Sequence, residues 1–139
     1  ICAKLGADFI HSGPQDYQIS PIAMKIGKQI AEKTGTKIAY FPDPQQAVEN
    51  ADVIYTDTWT SMGQEEEAKK REAVFPPYQV NEKLVERAKS EVIVLHCLPA
   101  HRGQEITDEV ADGKHSRLFP QAHNRLHAQK AIIVKLFEE

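Results

Sequence analysis

The stretch Glu91–His96, with the sequence EVIVLH, decides the fold class because it is an almost continuous apolar run. A short apolar run bounded by polar turns is typical of a buried β-strand. Strands that are apolar on both faces occur in parallel sheets that are covered by helices on both sides. The stretch therefore predicts a strand at the centre of an α/β fold.

Similar but shorter runs occur along the rest of the chain, and segments with helical features separate them. The predicted strands are residues 7–11, 37–41, 51–56 and 91–96, with a last short strand at 116–119. The predicted helices begin at Ser20-Pro21, Asp43-Pro44, Gln64, Asn81, Thr107 and Gln121, and the one after Asn81 runs to about Lys89. Strands that alternate with helices at this spacing form βαβ units. We therefore expect a three-layer α/β fold, a parallel sheet with helices on both faces, in a single domain over residues 1–139.

Composition narrows the class of protein. The 139 residues suffice for one domain of ordinary size, and 41% of them are hydrophobic. A net charge of −3 argues against a nucleic-acid-binding face, which normally shows a basic excess. No apolar run approaches the roughly 18 residues of a membrane span. Two cysteines, Cys2 and Cys97, are too few for a disulfide framework, so we expect reduced thiols and a cytoplasmic protein, with a single bridge as the alternative.

The first residues suggest that the sequence is part of a longer chain. Residue 1 is Ile rather than Met, and residues 1–6 have the character of a last helical turn that Gly6 ends. We expect a fragment whose beginning, including any targeting segment, is missing.

Two loops after predicted strands hold unusual residues, and ligands of open α/β sheets bind beyond the carboxyl ends of the strands. In the first loop, the Asp57 carboxylate is a candidate partner for a ligand ammonium group. Ser61 could add a hydrogen bond, and Met62 could offer its backbone N–H or its thioether. The alternative is that Asp57 caps the helix near Gln64 or forms a local turn.

In the second loop, Cys97 could be a nucleophile, a metal ligand or a polar lining group. Adjacent strand residues point to opposite faces, so His96 is poorly placed as a base for Cys97. A zinc site would need more ligands than His96, Cys97 and His101. A structural His96 beside an inert Cys97 is the default interpretation.

The last predicted helix carries Arg125 in its first turns, beside His123, Asn124 and His127. An arginine near a helix N-terminus can bind an anion, and a solvated arginine is the alternative. No G-x-G-x-x-G or P-loop motif is present, so no motif in this sequence supports the interpretation as a nucleotide-binding oxidoreductase.

Together these segments resemble one enzyme family along essentially the whole chain. Residues 57–63 (DTWTSMG) are similar to the D-x-x-x-S-M-G signature of ornithine carbamoyltransferases, and residues 96–99 (HCLP) to their H-C-L-P signature. Residues 124–131 (NRLHAQKA) resemble the stretch that opens their last long helix. The resemblance implies the Rossmann-like second domain of that fold, which binds ornithine.

The resemblance also implies the reaction and the residues that serve it. The family moves a carbamoyl group from carbamoyl phosphate to the δ-amine of ornithine, giving citrulline and phosphate, in arginine biosynthesis or the urea cycle, without a metal or cofactor. Asp57, Ser61 and Met62 would hold the amino acid head of ornithine. Cys97 and Leu98 would line the place where the carbamoyl group meets the amine, and Arg125 would contact carbamoyl phosphate; Cys97 and Arg125 are the expected catalytic residues.

Other implications concern the whole protein. The family's S-T-R-T phosphate loop lies in a first domain absent from this chain, so we expect residues 1–139 alone to be inactive. The resemblance also implies that the full-length enzyme is a homotrimer. It is expected in the cytoplasm, or in the mitochondrial matrix of an animal. One departure is His123, where the family usually has an acidic residue. The alternatives are a carbamoyltransferase for putrescine or acylornithine and a non-catalytic amino-acid-binding domain.

Overall fold

Helices alternate with parallel strands in a computed structural model that describes residues 1–60 and 65–138. The strands are β1 Phe9–His11, β2 Ile38–Tyr40, β3 Val53–Thr56 and β4 Ile93–His96. The α-helices are α1 Pro21–Thr34, α2 Pro44–Ala47, α3 Glu65–Val74, α4 Glu82–Val85, α5 Asp108–Ala111 and α6 Leu118–Phe137. Short 3₁₀ helices lie at Ala3–Leu5, Gln15–Tyr17 and Pro76–Tyr78. The α/β class predicted from the sequence is confirmed.

The chain divides into two compact units, Ile1–Glu49 and Asn50–Glu139. In the first unit, β1 and β2 pair in parallel with Phe9 opposite Ile38. Helix α1 connects them, and the Ser20 hydroxyl caps it by accepting the N–H of Ala23 at 3.3 Å. Gly35 ends the helix with φ of 73°, a left-handed conformation that glycine adopts without steric cost.

In the second unit, β3 and β4 pair in parallel, and the register places Thr56 opposite His96. One face of each strand is buried in an apolar core, and Val94 is fully inaccessible to solvent. The core of this unit consists of Ile54, Trp59, Val80, Leu84, Val85, Val92, Val94, Ile106, Val110, Ala111 and Leu118. Both paired strands therefore end at the same edge of a well-packed sheet.

Three expectations differ from the structure. The predicted strand at 116–119 is a single bridge between Ser116 and Val94, and α6 begins at Leu118 rather than at Gln121. Pro120 fits the first turn of α6 because the N–H groups there have no partner within the helix. Helix α4 ends at Val85 rather than near Lys89. The described strands pair as two two-stranded sheets, one in each unit. One continuous sheet and one domain over residues 1–139 therefore stay predictions.

Two further observations concern expectations from composition. Cys2 and Cys97 are both free thiols. Among the helices of residues 1–60 and 65–138, none combines the length and apolar character that crossing a membrane requires.

Candidate functional site

The edge where β3 and β4 end brings two predicted site residues together. Asp57 follows β3 directly and Cys97 follows β4, and the register aligns the last residues of both strands. The Cys97 Sγ–H donates a hydrogen bond to Asp57 Oδ1 at 2.8 Å. Because parallel strands carry their carboxyl ends at one edge, two residues distant in sequence share one site.

The Asp57 carboxylate is fixed through one of its two oxygens. Oδ1 accepts the Cys97 thiol and the backbone N–H of Thr58, the latter at 2.7 Å. Neither donor lies on α3, so these contacts do not support the alternative that Asp57 caps that helix. The Oδ2 atom has no hydrogen-bond partner within residues 1–60 and 65–138, and Asp57 is exposed. A fixed carboxylate with one oxygen open to solvent is suited to binding an ammonium group.

The surroundings of Cys97 keep its thiol protonated. Burial raises the pKa of Cys97, and the hydrogen bond to Asp57 and its negative charge raise that pKa further. The thiolate, not the thiol, is the nucleophile of cysteine chemistry. At neutral pH Cys97 is therefore a hydrogen-bond donor and a lining group.

Tyr55 and Gln121 join this cluster, and neither is among the site residues predicted from the sequence. Burial of the Tyr55 phenol, followed by the influence of the neighbouring Cys97, raises the pKa of Tyr55, and the nearby Gln121 lowers it. Gln121 also accepts the backbone N–H of His96 through Oε1 at 3.0 Å. A signal for Tyr55 was available, because residues two apart in an extended segment lie on one face and Tyr55 precedes Asp57 by two.

A buried pair beneath the cluster holds the loop that carries Cys97. His96 and Glu105 are both fully inaccessible, and His96 Nε2 lies 3.0 Å from Glu105 Oε1. Because His96 Nδ1 accepts the N–H of Leu98 at 2.8 Å, the ring proton sits on Nε2 and is donated to the carboxylate. The same Glu105 oxygen accepts the N–H of His101 at 2.6 Å. His96 is thus structural, as the default interpretation expected, whereas Glu105 was missed.

Leu98 adopts an uncommon backbone conformation in this loop. Its φ is 56°, in the left-handed region that costs a residue with a Cβ about 1 kcal/mol or more. The hydrogen bond from its N–H to His96 Nδ1 stabilises this conformation. The Leu98–Pro99 peptide bond is cis. The contacts of His96 and Glu105 therefore determine the course of the backbone on which Cys97 and Leu98 lie.

The start of the first loop is fixed by Arg71 of α3. Arg71 Nη1 donates to the Trp59 carbonyl at 2.8 Å, and its guanidinium also pairs with Glu67 one helical turn earlier. The Trp59 indole is buried and lies against the Phe75 ring at 5.9 Å. This anchoring keeps the segment after Asp57 close to α3.

The remaining predicted residues are placed differently. Arg125 is exposed on α6, one turn after Gln121, and makes no hydrogen bond or ion pair with any residue in the described part of the chain. Ser61 and Met62 lie outside the described residues. No group of three His, Cys, Asp or Glu side chains within the described ranges is arranged to hold a metal ion.

Residues 1–136 match the protein family described as aspartate/ornithine carbamoyltransferase, Asp/Orn binding domain. The ornithine carbamoyltransferase of Archaeoglobus fulgidus is 54% identical over 134 residues, which make up 96% of this chain and 42% of that protein. The ornithine carbamoyltransferase of Anoxybacillus flavithermus is 52% identical, over 96% of this chain and 43% of that protein.

Solved structures give the same result. The ornithine carbamoyltransferase of Pyrococcus furiosus superposes with a TM-score of 0.89 at 49% identity, covering 94% of this chain and 42% of that one. The anabolic ornithine carbamoyltransferase of Campylobacter jejuni reaches 0.93 at 36% identity, covering 99% and 45%. The chain thus spans less than half the length of the relatives it matches. It belongs to the aspartate/ornithine carbamoyltransferase family, whose Asp/Orn-binding domain it matches along nearly its whole length.

Proposed function

We propose that the whole protein containing this chain transfers the carbamoyl group of carbamoyl phosphate to the δ-amine of L-ornithine, producing L-citrulline and phosphate. This chain would supply the ornithine side of the site. The observation that carries the proposal is the Asp57–Cys97 hydrogen bond of 2.8 Å at the carboxyl ends of two parallel strands. The names of the relatives from Archaeoglobus fulgidus and Anoxybacillus flavithermus support ornithine as the substrate.

The open oxygen of Asp57 would bind the α-ammonium group of ornithine. Its Oδ1 is held by Thr58 and Cys97, so the direction of Oδ2 is set before the ligand arrives. A hydrogen bond between charged groups is worth about 1.5–3 kcal/mol, more than one between neutral groups. Ser61 and Met62 would complete the contacts to the amino acid head, as the resemblance of residues 57–63 implies.

The reaction needs positioning and fixed charge more than a covalent intermediate. The neutral δ-amine attacks the carbonyl carbon, the bond from that carbon to the phosphate oxygen breaks, and the amine nitrogen gives up a proton, which the departing phosphate accepts. Cys97 and Leu98 would line the site of attack, and Arg125 would contact the carbamoyl phosphate anion. Because the Cys97 thiol stays protonated at neutral pH, it would orient the reactants without becoming acylated.

The proposal extends to the assembly and setting of the whole protein. It would act as a homotrimer in the cytoplasm, in arginine biosynthesis, and would need no metal or cofactor. The name of the Campylobacter jejuni enzyme, an anabolic ornithine carbamoyltransferase, supports the biosynthetic direction.

The test is citrulline formation by the full-length protein, with putrescine and N-acetylornithine as competing amine substrates. Turnover should require ornithine and carbamoyl phosphate together, and Asp57→Asn should lower it. The matched control is Asp52→Asn, which removes the same charge ahead of β3, where Asp52 pairs with Lys89 at the surface. A protein that prefers putrescine or N-acetylornithine, or that binds ornithine without turnover, would overturn the proposal.

A further inference from the structure

A histidine pair on α6 stands apart from the cluster at Asp57 and Cys97. His123 and His127 are four residues apart and both are exposed. Their Nε2 atoms lie 3.1 Å from each other, and the ring centroids are 4.9 Å apart. Residues at this spacing are neighbours on one helix face. Neither imidazole has a role in the proposed reaction.

From this geometry we propose that His123 and His127 form a binding site for a divalent transition-metal ion of the kind that prefers imidazole, such as Ni²⁺ or Zn²⁺. Imidazole nitrogen is a preferred ligand of Zn, Cu and Ni. With bonds of about 2.0–2.1 Å and a tetrahedral angle, two nitrogens on one zinc lie about 3.3 Å apart. The observed Nε2–Nε2 distance of 3.1 Å is close to that value.

The pair needs no change of backbone to accept the ion. At 3.1 Å one Nε2–H donates to the lone pair of the other ring. On binding, that proton moves to Nδ1 of its own ring, and a rotation of each imidazole about its Cβ–Cγ bond turns both Nε2 lone pairs toward the metal. Because no third His, Cys, Asp or Glu completes a cluster within the described residues, two imidazoles are the protein ligands and water fills the other positions.

The site is separate from the proposed anion contact on the same helix. Arg125 lies two residues from each histidine, and residues two apart on a helix do not face each other. Metal bound between His123 and His127 therefore lies away from the Arg125 side chain. Lys130, three residues after His127, is the nearest cation along the same face and weakens binding modestly.

The experiment is calorimetric titration of the full chain with Ni²⁺, repeated with Zn²⁺. Loss of an outer-shell partner of a metal site typically costs about 10–100-fold in affinity. We therefore expect His123→Ala and His127→Ala each to weaken binding at least tenfold. The matched control is His101→Ala, which removes an exposed imidazole from the loop that follows β4. Cys97→Ser tests whether the thiol is the ligand instead.

A rescue variant tests the spacing itself. Ala131 is exposed on α6 four residues after His127, so His123→Ala combined with Ala131→His moves the pair one turn along the helix. Binding should return to within about tenfold of the parent. Binding that survives loss of both histidines, that disappears in Cys97→Ser, or that the relocated pair does not restore would overturn the proposal. Circular dichroism of every variant checks that α6 remains helical.

Discussion

The Cys97 thiol donates a hydrogen bond of 2.8 Å to the Asp57 carboxylate, although the two residues are 40 positions apart in the chain. Each follows the last residue of a strand, and the parallel pairing of those strands brings them together. The contact leaves one oxygen of Asp57 open to solvent and keeps the sulfur protonated.

Asp57→Asn in the full-length protein should weaken ornithine binding by roughly tenfold to a few hundredfold, because it removes the charge of a hydrogen bond worth about 1.5–3 kcal/mol. Carbamoyl phosphate affinity should barely change. Binding isotherms for both ligands, with a melting curve of the same variant, measure this. An equal loss for both ligands, or normal ornithine binding, would contradict the assignment of Asp57.

The alkylation of Cys97 should reveal its raised pKa. Since only the thiolate reacts, iodoacetamide labelling of Cys97 should reach half its maximal rate above the ordinary thiol pKa of 9.0. Asp57→Asn removes a negative charge that disfavours the thiolate, so it should lower this pKa and speed labelling at pH 8. Mass spectrometry of the peptide containing Cys97 separates it from Cys2. Slower labelling in the variant would count against the contact.

Tyr55→Phe should act in the opposite direction. The Tyr55 hydroxyl lowers the pKa of Cys97, so its removal should raise that pKa and slow labelling at a given pH. The ring is retained, and the fold should therefore survive. When the three proteins are measured side by side, Asp57→Asn should be labelled fastest, the parent more slowly and Tyr55→Phe most slowly. Any other order would show that the three groups do not interact as described.

Cys97→Ser in the full-length protein should reduce turnover without abolishing it. The serine hydroxyl can still donate a hydrogen bond to Asp57. If Cys97 were an essential covalent nucleophile, the same substitution would remove nearly all turnover. Steady-state kinetics with ornithine and carbamoyl phosphate give the readout. Complete inactivity, together with a thiocarbamate adduct on Cys97 of the parent protein, would show that the non-covalent mechanism is wrong.

Glu105→Ala should lower the free energy of unfolding by about 2–6 kcal/mol. It leaves the buried Nε2–H of His96 and the N–H of His101 without acceptors, and each unpaired buried group costs about 1–3 kcal/mol. Urea denaturation measures the loss. The control Glu91→Ala, at an exposed position, should change it by less than about 0.5 kcal/mol. Similar stabilities for the two variants would rule out the anchoring role of Glu105.

Local features of the sequence determined most of the secondary structure. Ser20, Asp43, Asn81 and Thr107 each cap the helix that follows, as their positions predicted. These hydrogen bonds join residues two or three apart, so the chain needs no distant partner to specify them. The apolar runs likewise predicted the four strands, because burial of a whole segment depends on its own composition.

Contacts between residues distant in the chain decide the features that could not be predicted from the sequence. Ser116 forms a bridge with Val94, but the chain turns into α6 at Leu118 because that side chain is buried in the core. Glutamate is usually exposed at the protein surface. Only the position of Glu105 against His96 shows that this one is buried. The two groups that donate to its carboxylate, His96 Nε2 and the N–H of His101, lie nine and four residues away across a loop, where neither helix nor strand periodicity applies.

The sequence by itself therefore determined the α/β class, the strand and helix order and the loops that carry Asp57 and Cys97. Only the tertiary structure decided that these two side chains meet, that Tyr55 and Gln121 join them, and that Arg125 makes no contact with them within the described residues. The physical reason is that strand propensity and helix caps are local, whereas the register of β3 against β4 depends on burying both strands in one core.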